Sequence, residues 1–535
     1  MRKILTAIIL LATIAVTARQ KYVATTGSDA GSGDITAPWA TLYKVSTTAI
    51  AGDTVNIASG SYSESHLCQF ATGISLLGAG KTVTTIHCLY PTDKTLYFNS
   101  AALTAGNHEI AGITFDGGNL TGYQGLGFRY RTNVKVHDCH FVDFSFRSVS
   151  FTNGSGFQNV RPAIYAANNE LYNCTFVNAG ATWATSGSFI YITGQIGFKL
   201  HHCSGNPTSR AGNPPPIVVK SSELKALDMH DNDFKTQNND DNANWAFIFE
   251  CWDLSDGCRI YNNNFEGVLD LVNVWKDNST YGIEVYGNDF GYDTYQNVAK
   301  QGIYLEGHCD GIAIHDNVFK NLSNSFIIYT LAGNTFNNIH VFKNSFNGVG
   351  FNGSVGYDMA MSVAGPGGFF IDGYYIENNT FATGQGINNL GAITLPTKGT
   401  TKHVYIRNNI ISDFGYNVTT SYLPSGGGGT VDSLYIQNND IYNNKYPDPV
   451  WISGVTPTHL VRTGNITTNP LFVSTADLHL QAISSAIDNG LDIGLPYYGL
   501  APDMGAYEFY VLPGVKPVAK YGGKIGRYNN QIGKY

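Results

Sequence analysis

Met229-His-Asp-Asn-Asp-Phe234, Ile260-Tyr-Asn-Asn-Asn-Phe265, Val285-Tyr-Gly-Asn-Asp-Phe290 and Ile314-His-Asp-Asn-Val-Phe319 are four copies of one phrase. It continues through Val341-Phe-Lys-Asn-Ser-Phe346, Ile376-Glu-Asn-Asn-Thr-Phe381, Ile406-Arg-Asn-Asn-Ile-Ile411 and Ile436-Gln-Asn-Asn-Asp-Ile441. A phrase that returns about once per thirty residues marks a solenoid, in which one supersecondary unit stacks on the next. β-Branched and aromatic residues flank its polar pair and helix formers are scarce, so each unit is built of short strands. The pattern therefore predicts an all-β chain folded as a parallel β-helix.

The Asn two places before each Phe or Ile (Asn232, Asn263, Asn288, Asn317, Asn344, Asn379, Asn409, Asn439) falls at one point of successive coils. Coils stack about 4.8 Å apart, which lets these amides hydrogen-bond along the stack. Asn also tolerates the left-handed backbone of a tight turn. The N-terminal coils carry Cys139, Cys174 and Cys203 at this point, where small thiols are expected to be buried. Among the other cysteines, Cys68 with Cys88 and Cys251 with Cys258 are candidate disulfides. No cysteine or histidine group has zinc spacing, and His201 and His202, adjacent on a strand, are read as structural.

Composition agrees with a long buried core: 43% of the 535 residues are hydrophobic and only 13% charged. A net charge of −8 argues against a nucleic-acid partner, which needs a basic footprint. Arg2 and Lys3 precede an apolar run from Ile4 to Val16, the pattern of an export signal, so residues 1–18 are expected to be cleaved. The run is too short to span a bilayer. Beyond it the expected divisions are a cap at 19–66, the β-helix at 67–460, a C-terminal capping segment at 461–512 and a basic tail at 513–535. That tail holds Lys516, Lys520, Lys524, Arg527 and Lys534, a candidate docking signal for the cell surface.

An open solenoid end exposes unpaired strand edges, so a cap is required. Thr36 and Pro38 can start a short helix whose apolar side, Leu42, Tyr43 and Val45, would cover the first coil. Tyr22-Val, Gly27-Ser-Asp, Pro38-Trp-Ala-Thr41 and Gly52-Asp-Thr-Val55 before Gly60-Ser-Tyr62 together resemble the opening of secreted right-handed β-helix proteins of the pectate-lyase superfamily. The resemblance covers Tyr22 to Glu64. Asn469-Pro-Leu-Phe, Asp477-Leu-His-Leu-Gln, Ser485-Ala-Ile-Asp-Asn-Gly and Asp503-Met-Gly-Ala-Tyr-Glu-Phe are similar to the closing segment of many secreted bacterial β-helix proteins. Both resemblances imply a right-handed helix and a secreted, polysaccharide-acting protein; neither carries catalytic residues.

In lyases of that superfamily the sugar groove runs along the sheet formed by the strand about fourteen residues before each repeated Phe. Here those strands end in Lys220, Glu250-Cys-Trp252, Trp275-Lys276, Tyr304-Leu-Glu306 and Ile-Tyr329. Period-two alternation points Lys220, Glu250 and Glu306 outward. Cleavage of a uronate glycan by β-elimination needs a carboxylate neutraliser, a base and an acid. Glu250, Asp270 and Glu306 could hold Ca2+ for the first, Lys220 or Lys276 act as base, Tyr304 as proton donor, and Trp252 and Trp275 stack on sugar rings. Two further readings stay open. Glu250 and Glu306, expected two rungs apart, have the separation of an inverting glycosidase. A non-catalytic glycan-binding adhesin or fibre also fits, because the Asn-Thr-Asp and Gly-His-Gly phrases of polygalacturonases are missing and Arg is scarce.

Overall fold

The computed structural model describes residues 19–510 except 121–123, 154–160, 180–186, 207–216, 236–246, 276–281, 292–300, 349–358, 366–367, 383–390, 397, 421–428, 447 and 450–455. The expected leader and the basic tail lie outside the described residues. The chain winds as a right-handed parallel β-helix with three ribbons of strands per coil. In one coil, Phe247–Leu254 lies on the first ribbon, Cys258–Tyr261 on the second and Asn264–Glu266 on the third. Every named strand pairing is parallel, coil to coil: Val219 lies against Phe249, Met229 against Ile260, and Phe234 against Phe265. Long strands such as Gln301–His315 run round the corner between the first two ribbons and merge them into one sheet of 27 strands; the third is a separate sheet of 14.

The repeated Phe residues form the floor of the third ribbon. Phe290, Phe319, Phe346 and Phe381 stack inside the coil at ring separations of 5.0, 4.7 and 4.5 Å. The ladder beside them is continuous: each Asn Nδ2 donates to the Oδ1 of the next, from Asn232 to Asn263 at 2.8 Å through Asn409 to Asn439 at 2.9 Å. It runs one coil further, to Asn465, where Thr-Gly-Asn-Ile no longer matches the phrase. Asn317 alone donates to Val285 O and Asn344 Oδ1 and accepts from the amide and side chain of Asn288.

The left-handed backbone sits one residue earlier than the sequence reading placed it. Asp231, Asn262, Asp316, Asn378, Asn408 and Asn438 have φ between 50° and 56°, and Gly287 takes the same corner with φ 62°. The residue before each ladder Asn thus makes the turn. The ladder Asn, with the turn made for it, is free to point inward and bond.

Cys203 joins this ladder, its amide donating to Asn232 Oδ1 at 3.0 Å. All eight cysteines are buried free thiols, so neither candidate disulfide forms. Burial drives the Cys139 and Cys174 thiols well above their ordinary pKa and raises Cys258 to about 12.

At the N-terminus, strand Gln20–Val23 pairs with Thr54–Ile57. The short helix is Leu42–Thr48, started by Thr41 rather than by Thr36 and Pro38, with Thr41 Oγ1 accepting from Lys44 N at 3.0 Å. Pro38 lies in the turn before it, its carbonyl bonded to Ser28 N. Leu42 and Val45 cover the first coil; Tyr43 stays exposed. The buried Glu64 carboxylate accepts from Leu42 N and Tyr43 N, satisfying two of the helix's orphan donors.

The C-terminal segment lies along the flank of the last coils. Lys343, Asn378, Asn408 and Asn438, all corner residues, donate to the carbonyls of Pro496, Asp503, Leu491 and Asn489. Leu480, Ala486 and Met504 bury a small second core against Ile410.

Candidate functional site

The outward face of the first ribbon gathers charged and aromatic side chains on successive coils. Tyr191, Lys220, Glu250, Asp270, Tyr304 and Ile327 are consecutive partners in one column. Beside it runs a second column of Trp252, Val272, Glu306 and Tyr329. Strand alternation sends Phe249, Cys251, Leu269, Leu271, Ile303 and Leu305 into the core and leaves these columns outside.

Lys220 Nζ lies 3.2 Å from Glu250 Oε2, and Trp252 Nε1 donates to Glu250 Oε1 at 3.0 Å. Both oxygens of Glu250 therefore accept, the arrangement of a carboxylate. Asp270, one coil on, is 5% exposed and its Oδ1 is buried with no partner. Burial above all, then the charges of Glu306 and Glu250, pushes its carboxyl far above the usual range, with Lys220 opposing. Glu306 is raised too, by burial and then by Glu250. Upward shifts at Asp270 and Glu306 are the expected outcome for carboxyls crowded away from water. Tyr304 is buried and stacks on Tyr329 at 5.6 Å.

On the N-terminal side, the Arg147 guanidinium lies 3.6 Å from the Tyr191 ring centre. Burial raises the Tyr191 hydroxyl's pKa, against the pull of Arg147. At the corner beyond the face, Glu223 and Asp253 occupy the same left-handed position on neighbouring coils, with φ 55° and 59°. Glu223 is buried, accepts from the Tyr165 hydroxyl at 3.2 Å, and is raised to about 7, chiefly by burial and then by Asp253.

Six of the eight sequence-predicted residues meet here, with changes of position. Asp270 takes the rung assigned to Trp275. Trp275 leaves the face at the corner, where its Nε1 donates to Asp253 Oδ1 at 3.2 Å and its ring stacks on His308. The cause is loop length: Asp270 lies 20 residues before Phe290, whereas Lys220 lies 14 before Phe234 and Glu250 15 before Phe265, so a constant count back from Phe290 falls short. Glu306 is two coils from Glu250 but in the neighbouring column, and Lys276 lies outside the described residues. Arg147 and Tyr191 were missed; counting forward from Cys139 and Cys174, which mark the ladder phase, would have reached their strands.

The calcium reading fits poorly. One Glu250 oxygen is engaged by an ammonium and the other by an indole N–H, and Glu306 stands in the neighbouring column. Lys220 would also repel a dication at this spot.

No protein-family model matches the chain and no curated protein matches its sequence. Solved structures similar to it include the A-module of the Azotobacter vinelandii mannuronan C-5 epimerase, at 12% identity over 80% of this chain and 93% of that one, TM-score 0.30. A polysaccharide lyase of family PL6 from Pseudopedobacter saltans is similar at 12% identity over 83% and 95%, TM-score 0.35. The tailspike of Escherichia coli bacteriophage HK620, solved with a pentasaccharide, is similar at 12% identity over 77% and 72%, TM-score 0.34.

Proposed function

We propose that the first-ribbon face binds an extended polysaccharide and cleaves a glycosidic bond by acid–base chemistry. The observation that carries this reading is the pairing of two unlike carboxyls on adjacent coils. Asp270 favours its proton, while Glu250 is held by Lys220 and Trp252. Unlike surroundings on adjacent carboxyls are how a site divides acid from base. Asp270 would give its proton to the departing glycosidic oxygen. Glu250 would attack the anomeric carbon and form a glycosyl ester that water then hydrolyses, with Asp270 as base in the second step. Adjacent coils are about 4.8 Å apart, close to the carboxyl separation of a retaining glycosidase.

β-Elimination of a uronate glycan, the reading first suggested by family resemblance, is supported less. Lys220 is engaged by Glu250 at 3.2 Å rather than left open to the substrate as a base would be. Arg147 and Lys220 do offer cations for an acidic sugar, which keeps uronates among the substrates. Export suits either chemistry.

The test is digestion of neutral and uronate polysaccharides, with products read both as new reducing ends and as ultraviolet-absorbing unsaturated uronate. Hydrolysis predicts reducing ends alone, and unsaturated products would replace it with elimination. Asp270→Asn and Glu250→Gln should each lower kcat by at least about a hundredfold while polysaccharide is still bound. If all three proteins bind and none cleaves, the face is a binding surface only, and Trp252→Ala should then give the largest loss of affinity.

A further inference from the structure

His201 and His202 end a second-ribbon strand and enter the corner; His230 and Asp231 do the same on the next coil. Neighbours on a regular strand would face opposite sides. His202 and Asp231 are left-handed, with φ 53° and 54°, so the chain turns and both side chains come out beside the residue before them. His201 Nδ1 and His202 Nδ1 lie 2.8 Å apart, and His230 Nδ1 is 2.7 Å from Asp231 Oδ2. One ligand atom each from His202, His230 and Asp231 falls within a mutual 4.8 Å.

We propose that this corner binds one transition-metal dication, Zn2+ being the natural occupant, through His202, His230 and Asp231. Two imidazoles and a carboxylate suit zinc, copper or nickel, whereas calcium and magnesium prefer all-oxygen shells. The rings are held in place before any ion arrives. His230 is sandwiched between His201 at 4.8 Å and Tyr261 at 4.9 Å, and His201 continues the stack to Tyr172 at 5.2 Å. His201 Nε2 is further anchored to Glu170 Oε1 at 3.1 Å, so its other nitrogen is aimed at His202. His201 is thus a positioning residue, oriented by a carboxylate as metal-site histidines commonly are. The ion would tie two coils together on the corner opposite the carboxyl face, with at least one coordination position left for water or an outside ligand.

The experiment is calorimetric titration of the chelator-treated protein with zinc chloride, with calcium chloride in parallel. The expected result is one zinc per chain and no calcium heat at this site. His202→Ala and Asp231→Asn should each weaken zinc binding by at least about tenfold, and His201→Ala by about tenfold through orientation. Both His202 and Asp231 are exposed, so the metal-free variants should melt where the wild type does. Zinc should raise the wild-type melting temperature and leave that of His202→Ala unchanged. Absence of zinc binding, or equal stoichiometry and affinity in wild type and His202→Ala, would overturn the proposal. A variant that melts lower without metal is replaced by His202→Gln, which keeps polarity and bulk.

Discussion

Asn317 shows how much one side chain does in this architecture. Its amide and backbone N–H make bonds to two neighbouring coils, and every partner is buried. Asn317→Ala would strand the Asn288 donors and the Val285 carbonyl in the core, at a cost of about 1–3 kcal/mol in chemical denaturation. Asn264, from the same phrase, points outward to Asp233 Oδ1 at 2.8 Å, and Asn264→Ala should stay within about 0.5 kcal/mol. Similar losses for the two would mean that inward bonding is not what holds the repeat. The ladder was legible in the sequence because every coil repeats it. The carboxyl cluster was legible only in part: Glu250 and Asp270 were named, yet their adjacency was not, because unequal loops hide which rungs touch.

Among the elements, the C-terminal segment is tuned by protons. Asp440, which accepts from Thr468 N, is raised to about 7 by burial, and Glu508, which accepts from Tyr498 N, is raised to about 7 by burial and then by Asp503. Burial likewise lifts Asp503 to about 6. A carboxyl whose pKa is higher folded than unfolded binds more protons in the folded state. Its contribution is therefore complete below the unfolded value and is lost as pH rises through the folded one. Docking of this segment should weaken between about pH 5 and about pH 8. Hydrogen exchange at the Gly490 and Gly505 amides, bonded to Pro502 and Asn408 carbonyls, should accelerate over that range beyond the intrinsic rate. Glu508→Gln should flatten the trend; an unchanged profile would show that another group controls the segment. The aromatic file along the second ribbon, His137 to Phe342, is held by stacking. Rings such as Tyr261 and Tyr286, 4.9 Å apart and 2° from parallel, add rigidity.

For the whole molecule, stability comes from stacking coils rather than from covalent ties. Cys139, Cys174 and Cys203 should resist alkylation in the native protein and react after unfolding without prior reduction, as should Cys251 and Cys258. Mass spectrometry that finds any of these five in a disulfide would contradict the free-thiol core. The same stacking extends local chemistry along the axis. It multiplies one inward Asn into a ladder and one outward position into a file, so a chemically distinct patch arises wherever a few coils depart from the file's usual residue. Lys220, Glu250 and Asp270 are such a departure.

The repeated Asn-Asn phrase and the period-two strands around it determined, without coordinates, that the chain is a parallel β-helix and that one Asn per coil points inward. Those features depend only on neighbours in sequence and on a repeat that forces the same environment on every copy. The tertiary structure alone decided which outward residues touch. The number of residues between Asn263 and Asp270, or between Asn232 and Glu250, sets the register between coils, and no local pattern reports it. The histidine corner was hidden for a related reason. His201 and His202 read as opposite faces of a strand until the left-handed turn at His202 brings both to the same side, facing His230 and Asp231 of the coil above.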